Sequence, residues 1–167
     1  DGILRRFFRE HHLLGVQERA FVAETVFGLL RHRLFLEQIV ELATPRTLLL
    51  AYLVKFHGIN LREITSLVSK SEATWLKEVK GMAVGEQSLA IQAEFPSWLF
   101  EKLTGVMPEP DILQLGQSLQ RTAPLDLRVN TFLAGRDEIL VALNSEGHNA
   151  EATPYSPCGI RLTGKPA

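Results

Sequence analysis

The sequence predicts a mainly helical protein that changes, near Pro124, into the beginning of a small α/β unit. Before that proline, apolar residues recur at the three- and four-residue spacing of amphipathic helices, and typical start and stop residues separate the segments. After it, apolar and polar residues alternate as they do in a half-exposed strand. Apolar residues make up 46% of the 167 residues and charged residues 22%, which suits one or two soluble globular domains.

The first two helical segments are amphipathic. Ile3, Leu4, Phe7 and Phe8 lie at helical spacing, with charged residues on the opposite side. A second pattern runs from Gln17 to Leu42, which is long for one globular helix, and we expect a break around residues 31–33. It is predicted to bury a set of apolar residues and to leave no long apolar stripe exposed: Phe21, Val22, Val26, Leu29, Leu30, Leu34, Phe35 and Ile39.

A third helix has the clearest start signal in the chain. Thr44 is a suitable N-cap, Pro45 suits the first helical position, and Gly58 can stop the helix. Residues 46–57 are nearly all apolar, which predicts the buried central helix of the fold.

Four further helical segments are predicted before Pro124. Asn60 followed by Glu63 resembles a capping box for a short helix, and Ser71 is predicted to cap another that ends at Gly81. A third begins at residues 95–103, and Pro108 and Pro110 separate it from a fourth at residues 112–121.

The last 44 residues predict a strand, a helix and two short extended pieces. The strand spans Leu125 to Leu133, the helix spans Asp137 to Glu146, and the extended pieces lie near residues 149–153 and 159–163. Because so small a sheet is hard to stabilise alone, the sequence is expected to be a fragment.

Arg128, Asn130 and Phe132 are predicted to share one face of that strand. A guanidinium, an amide and a ring side by side suit single-stranded RNA, which offers phosphates, base edges and base faces. The alternative is that this face packs against a neighbouring domain, with Arg128 paired to a carboxylate.

Two arginine groups are candidates for phosphate contacts. Residues 1–62 hold nine Lys/Arg against six Asp/Glu, although the whole chain has a net charge of −1. The groups are Arg5, Arg6 and Arg9, and then Arg31 and Arg33 around His32. Both could instead be solvated helix faces, and Arg31 could pair with Glu24.

Several kinds of chemistry are not supported by the sequence. Cys158 follows a proline but has no acid just upstream to activate a base and no basic residue nearby to lower the pKa of the thiol, so it is interpreted as an ordinary loop cysteine. A single cysteine excludes an internal disulfide and fits a reducing cytoplasm. The histidines are scattered, no glycine-rich nucleotide loop follows a strand, and the apolar run Leu48 to Val54 is too short for a membrane span.

Two parts of the chain resemble known families. The segment Glu18-Arg19 … Val22 … Glu24 … Val26-Phe27-Gly28-Leu29-Leu30-Arg31 resembles the helical signature of NusB-like RNA-binding domains. Phe95-Pro96-Ser97-Trp98-Leu99 and Ala123-Pro124-Leu125-Asp126-Leu127-Arg128-Val129-Asn130 resemble the linker and first strand of Fmu/Sun-type (RsmB-like) methyltransferases. Those enzymes methylate a cytosine of small-subunit ribosomal RNA at C5.

The resemblance implies a three-part protein. Residues 1–92 would be a NusB-like helical domain, 93–123 a helical linker, and 124–167 part of a ferredoxin-like RNA-binding subdomain. A downstream catalytic domain, absent here, would bind S-adenosylmethionine and supply two cysteines, and Cys158 matches neither.

The resemblance also implies partners. We expect small-subunit ribosomal RNA and the protein's own catalytic domain as partners, no membrane and no cofactor for this fragment, and a cytoplasmic monomer that is not catalytic by itself. The alternative is a NusB-like protein-interaction module, associated with transcription or the ribosome and without an enzymatic role.

Overall fold

A computed structural model describes residues 2–163, and its contacts divide the chain between Arg121 and Thr122 into two compact units. The first unit contains the helices α1 (Gly2–Glu10), α2 (Val16–Arg31), α3 (Arg33–Ile39), α4 (Pro45–Lys55), α5 (Lys70–Gly81), α6 (Leu89–Gln92), α7 (Ser97–Thr104) and α8 (Glu109–Leu119). The second contains β1 (Leu125–Arg128), α9 (Arg136–Ser145), β2 (Ala150–Ala152) and β3 (Gly159–Leu162). The predicted fold class, a mainly helical part followed by the beginning of a small α/β unit, is confirmed.

The break predicted inside the second helical pattern occurs at His32. This residue has φ −103° and ψ 21°, and it separates α2 from α3. The new helix is held at its start by a distant side chain, because the Glu94 carboxylate accepts hydrogen bonds from the Leu34 N–H at 2.8 Å and the Phe35 N–H at 3.2 Å.

The burial predicted for α2 is partly wrong. Phe21, Val26 and Leu30 are exposed by 44%, 37% and 54% respectively, and the buried residues of this helix are Thr25 and Gly28. The physical reason is a close approach to α4: a Cβ built on Gly28 would lie 1.8 Å from the Tyr52 hydroxyl oxygen.

Because α2 contacts α4 through its small residues, larger apolar side chains remain on its other faces. Four of them, at helical spacing on one side, form an exposed set that we call the α2 stripe: Val16, Val26, Phe27 and Leu30. The expectation that no apolar stripe is exposed is therefore wrong.

The helix α4 is the buried centre of the first unit, as predicted. Its Thr44 cap is also confirmed, since the Thr44 hydroxyl accepts a hydrogen bond from the Thr47 N–H at 3.1 Å. One core cluster joins Tyr52 to α3 and α5, and a second joins Leu50 and Val54 to the same α5 helix. The two clusters together fix α3, α4 and α5 around one another.

The segment between α4 and α5 differs from prediction. Asn60 does not start an α-helix: its side-chain oxygen accepts the Arg62 N–H at 3.0 Å and forms a local turn. Ser69, and not Ser71, caps α5, because its hydroxyl accepts the Glu72 N–H while Glu72 accepts the Ser69 N–H at 2.7 Å. The capping box thus lies two residues before the predicted start.

The helices α6, α7 and α8 pack around a third cluster that contains Ala93, Phe95 and Ile112. Of these helices, the short α6 was not predicted. Gly116 allows a close contact here, since a Cβ at this position would lie 2.5 Å from the Ala93 carbonyl oxygen.

The second unit is a three-stranded antiparallel sheet with the order β1-β3-β2 and α9 against one face. Leu127 and Ile160 are paired across β1 and β3 and, together with Ile139 and Leu143 of α9, line an apolar groove. Successive side chains of a strand alternate, so Asp126 and Arg128 point to the opposite, open face.

The predicted strand from Leu125 to Leu133 is too long. β1 ends at Arg128, and the Asn130 side-chain oxygen accepts the Phe132 N–H at 3.2 Å in a turn. Asn130 and Phe132 are therefore not on the face of a strand with Arg128. The side-chain turn of Asn130 competes with continued strand pairing.

Among residues 2–163, no helix combines the length and apolar character that a bilayer crossing needs. The same residues contain no group of three or more His, Cys, Asp and Glu side chains placed to hold a metal ion.

Candidate nucleic-acid interface

Three arginines from two helices meet at the amino-terminal end of the first unit. Arg5 and Arg9 lie one turn apart on α1, and Arg19 comes from α2. Together with Phe8 they line an open cavity of about 510 Å³. We call Arg5, Arg9 and Arg19 the arginine cluster.

The guanidinium of Arg19 is held in place. Its Nε donates to the Leu14 carbonyl at 2.8 Å and its Nη2 donates to the His12 carbonyl at 3.2 Å. The same group lies 5.9 Å from the centre of the Phe8 ring, within the range of a cation–π contact. The fixed guanidinium of Arg19, together with those of Arg5 and Arg9 on α1, forms a positively charged site suited to phosphate oxygens.

The arginine cluster includes two of the three predicted arginines of α1. Arg6 is exposed and does not line the cavity. Arg19 was not predicted, because it is distant in sequence from the others and reaches them only through the turn between α1 and α2.

Arg31 and Arg33 do not form one patch in the structure. Arg33 is exposed and pairs with Glu37 one turn later, with 2.6 Å between Nε and Oε1. Arg31 is half-buried, and its Nε atom is buried without a hydrogen-bond partner among the described residues. Burial is the main cause that raises the pKa of the nearby Tyr52 hydroxyl. The charge of Arg31 lowers this pKa, and that of Glu24 raises it.

His32, between these arginines, is part of the core packing. Its ring stacks on Phe56 with 3.8 Å between centroids and 6° between planes. Burial and the charge of Arg31 lower the pKa of His32 to about 4, so it is neutral near pH 7.

The residues Arg128, Asn130 and Phe132 do meet, although not on a strand face. They line a small cavity of about 260 Å³ at the turn after β1. The Phe132 ring is 97% exposed there. The guanidinium, the amide and the exposed ring therefore still line one site, as the sequence predicted, although that site is a turn.

The open face of the sheet forms a larger groove of about 630 Å³, which we call the sheet groove. Its lining comes from β1, from β3 and from the connection between β2 and β3: Asp126, Leu127, Arg128, Thr153, Pro154, Tyr155, Ser156, Cys158, Gly159 and Arg161. Arg161 and Asp126 form a bidentate ion pair across the strands, at 2.7 and 2.8 Å. This pair holds the pKa of Asp126 below its usual range, the hydrogen bond from Arg161 being the main cause.

Cys158 lies in the sheet groove, and its surroundings differ from prediction. The Ser156 hydroxyl lies 3.6 Å from the sulfur, and this hydrogen bond, followed by the charge of Arg128, lowers the pKa of the thiol. The effect of Arg128 could not be predicted, because Arg128 is thirty positions away along the chain and is brought close by the pairing of β1 with β3.

Comparisons with known proteins point to one family. Residues 95–167 match the model of the RsmF/B-like methyltransferase, ferredoxin-like domain. A curated relative, ribosomal RNA small subunit methyltransferase B of Photorhabdus laumondii, is 36% identical over 67 residues, which cover 40% of this chain and 15% of the relative.

A solved structure resembles nearly the whole chain in fold. The crystal structure of PH0851 has a TM-score of 0.61 and 15% identity, and the match covers 98% of this chain and 44% of that one. The chain thus spans less than half the length of either protein.

The match to the family begins within the helices before β1 and continues through the sheet. It includes the Leu-Arg-Val-Asn segment on which the resemblance to Fmu/Sun-type enzymes rested. Residues 95–167 are thus similar to the ferredoxin-like domain of RsmF/B-like methyltransferases, and together the matches support an RsmB/Fmu-type amino-terminal region.

Proposed function

We propose that this chain is the RNA-recognition, amino-terminal part of an S-adenosylmethionine-dependent methyltransferase that modifies a cytosine of small-subunit ribosomal RNA at C5. The observation that supports it best is that the part of the chain similar to an RNA methyltransferase family presents the Arg128 guanidinium together with exposed aromatic rings in the connections beside its sheet. Phosphate contacts position a nucleic acid, and base contacts select it. Such a surface is suited to both.

In this proposal the chain positions RNA and makes no bonds. A cysteine thiolate of a downstream catalytic domain would add to C6 of the cytosine, and S-adenosylmethionine would supply the methyl group. The described residues do not fit that cofactor, because the segment 129–135 between β1 and α9 has one glycine and lacks a glycine-rich nucleotide loop. The proposal divides the chain into a NusB-like domain at residues 1–92, a helical linker at 93–123 and a partial RNA-binding subdomain at 124–167. It also holds that the protein is a cytoplasmic monomer that binds ribosomal RNA.

The phosphate-binding residues proposed are Arg5, Arg6, Arg9, Arg31 and Arg33, to which the structure adds Arg19. The arginine cluster is the strongest of these because its guanidinium groups converge on one cavity. Arg33 is the weakest candidate, since Glu37 already neutralises its charge. In the second unit, Arg128, Asn130 and Phe132 remain the proposed base-contacting residues.

The proposal is tested by the salt dependence of RNA binding. A fluorescently labelled single-stranded fragment of small-subunit ribosomal RNA is titrated with the chain at several salt concentrations. Each phosphate contact contributes about 0.7 to the slope of log K against log salt for a single strand. Replacing Arg5, Arg9 and Arg19 by glutamine is therefore expected to lower that slope by about 2.

A matched control removes three positive charges elsewhere. Lys70, Lys77 and Lys80 of α5 are exposed, and their triple glutamine variant has the same net charge as the arginine variant. Its slope is expected to change little. Equal losses in both variants, or an affinity independent of salt, would contradict the proposal.

A second candidate function, a protein-interaction module, is favoured by the α2 stripe. Four apolar side chains exposed on one side of a helix form a surface of the kind that binds protein partners. The two functions are separated by isolating the chain from cells after nuclease digestion. Partners that remain, and that are lost in a Phe27→Ser, Leu30→Ser variant, would support the protein-interaction reading.

A further inference from the structure

Arg128 lines two cavities, each of which also contains a fully exposed aromatic side chain. On one side it lines the small turn cavity with Phe132, which is 97% exposed, and on the other it lines the sheet groove with Tyr155, which is 99% exposed. Burial of a large ring stabilises a protein substantially, and here two rings that share a cavity with the same cation remain in solvent. This arrangement is what RNA-binding sheets use to stack bases beside a charge.

We propose that the sheet groove is a subsite for one unpaired RNA base, which stacks on the Tyr155 ring while the adjoining phosphate binds Arg128. This inference rests on the proposed function and adds a site that the resemblance did not indicate. Tyr155, Ser156 and Cys158 are not among the residues predicted from the sequence to contact RNA. The groove volume of about 630 Å³ is in the range of small-ligand sites, roughly 300–1,000 Å³.

Charge in the groove is concentrated on Arg128. The other arginine of the groove, Arg161, is neutralised by its bidentate pair with Asp126. Among the described residues, no carboxylate lies within ion-pair distance of Arg128. A phosphate entering the groove therefore finds one guanidinium that has no carboxylate partner among the described residues.

The connection between β2 and β3 is held in position before any ligand binds. The Thr153 N–H donates to the Gly159 carbonyl at 3.1 Å, and the Gly159 N–H donates to the Ser156 carbonyl at 3.3 Å. Gly159 is needed for this closure, because a Cβ there would lie 2.1 Å from the Thr153 hydroxyl oxygen. A preformed loop reduces the ordering cost of binding.

Polar atoms for a base edge are present beside the ring. The Ser156 hydroxyl and the Cys158 thiol lie 3.6 Å apart in the groove. The hydroxyl can donate to or accept from a base, since its proton can rotate to suit the partner. Stacking supplies affinity for any base, and the hydroxyl adds a preference among bases.

The single cysteine of the chain provides a built-in probe of the groove. The rate of Cys158 alkylation by iodoacetamide is measured with and without a saturating single-stranded oligocytidine or oligouridine RNA. An occupied groove is expected to slow alkylation about tenfold or more. A duplex RNA of the same length, which offers no unpaired base, is expected to leave the rate unchanged.

Substitutions of Tyr155 then test the stacking contact. Tyr155→Ala is expected to weaken single-strand binding about 5- to 150-fold, which corresponds to the 1–3 kcal/mol typical of one stacked base, whereas Tyr155→Phe keeps the ring and the affinity. The Tyr155 side chain is 99% exposed in the free chain, so the circular dichroism and thermal unfolding of both variants should match those of the parent. Arg128→Gln is expected to weaken binding and to reduce its salt dependence.

The outcomes separate this inference from the proposed function. If RNA binds with the expected salt dependence but neither protects Cys158 nor responds to Tyr155→Ala, the base subsite is wrong and the RNA-binding function stands. If no single-stranded RNA binds at low salt, both are overturned. Protection of Cys158 by a nuclease-treated protein fraction, without RNA, would also overturn the base subsite.

Discussion

Replacing Glu94 with alanine removes the acceptor for two backbone N–H groups at the start of α3. The Glu94 side chain is only 8% exposed, and the Leu34 and Phe35 N–H groups that it accepts lie 2.8 and 3.2 Å away in a partly buried site. An unsatisfied buried donor costs about 1–3 kcal/mol, and loss of one helix cap costs about 0.5–2 kcal/mol. With two donors left unpaired, we expect Glu94→Ala to lower the free energy of unfolding by about 2–4 kcal/mol.

The backbone of Glu94 provides a control for that measurement. Glu94 has φ 56°, in the left-handed region that favours glycine. Glu94→Gly removes the same carboxylate but relieves the backbone, so it should be more stable than Glu94→Ala by about 1 kcal/mol. Urea unfolding followed by circular dichroism measures both variants. An alanine variant within about 0.5 kcal/mol of the parent, or equal losses for alanine and glycine, would refute the reasoning.

The pH dependence of stability tests the charge of the same residue. Burial raises the pKa of Glu94 to about 7 from its ordinary 4.5, although the two backbone N–H groups act in the opposite direction. A raised carboxyl pKa in the folded state means that this residue's favourable contribution is complete below pH 4.5 and is lost as the pH rises through 7.

Glu94→Gln isolates that contribution because glutamine does not ionise. Its amide oxygen can still accept from α3. The stability of the parent relative to Glu94→Gln should therefore fall between about pH 6.5 and pH 8. The low pKa of His32 also destabilises the folded protein as the pH falls below about 6.5. Because His32 Nδ1 lies 3.9 Å from Glu94 Oε1, the two proteins are compared above pH 6.5, where His32 is neutral. A difference that rises with pH would contradict the assignment.

Two further pairs of substitutions test close packing and capping. Gly28→Ala places a methyl group against the buried Tyr52 hydroxyl and should cost about 2 kcal/mol or more, whereas Gly81→Ala, where the added Cβ meets nothing within 4 Å, should not destabilise the protein. Ser69→Ala should cost about 1 kcal/mol by removing the α5 cap, and Ser71→Ala should cost little. Urea unfolding checks each pair, and equal effects within a pair would be inconsistent with the structure.

Local signals in the sequence predicted local structure well. Thr44 and Pro45 sufficed to place the start of α4, because capping depends on residues within one turn. The correct cap of α5 was also present in the sequence, since Glu72 lies three residues after Ser69 and completes a capping box. The capping-box pattern at Asn60 did not start a helix, because a two-residue side-chain turn formed there instead.

Contacts between distant residues could not be predicted in this way. The helical spacing of α2 allows several buried faces, and the structure uses the one where Gly28 meets Tyr52. The approach of Arg128 to Cys158 and of Arg19 to Arg9 likewise depends on strand pairing and on a helix turn. Periodicity specifies which residues share a face but does not specify which face is covered.

The two candidate surfaces differ in what they can recognise. In the arginine cluster the aromatic ring that lines the cavity, Phe8, is in contact with Arg19, so this site offers three positive charges and a ring already engaged by one of them. The sheet groove offers one uncompensated arginine, Arg128, and the exposed ring of Tyr155. Phosphate contacts act on all sequences alike, whereas stacking and base-edge contacts need unpaired bases. Variants of the cluster should therefore change the salt slope equally for single-stranded and duplex RNA, and variants of the groove should reduce the preference for single strands. If both sets of variants acted on both properties to the same extent, this division between positioning and base recognition would be wrong.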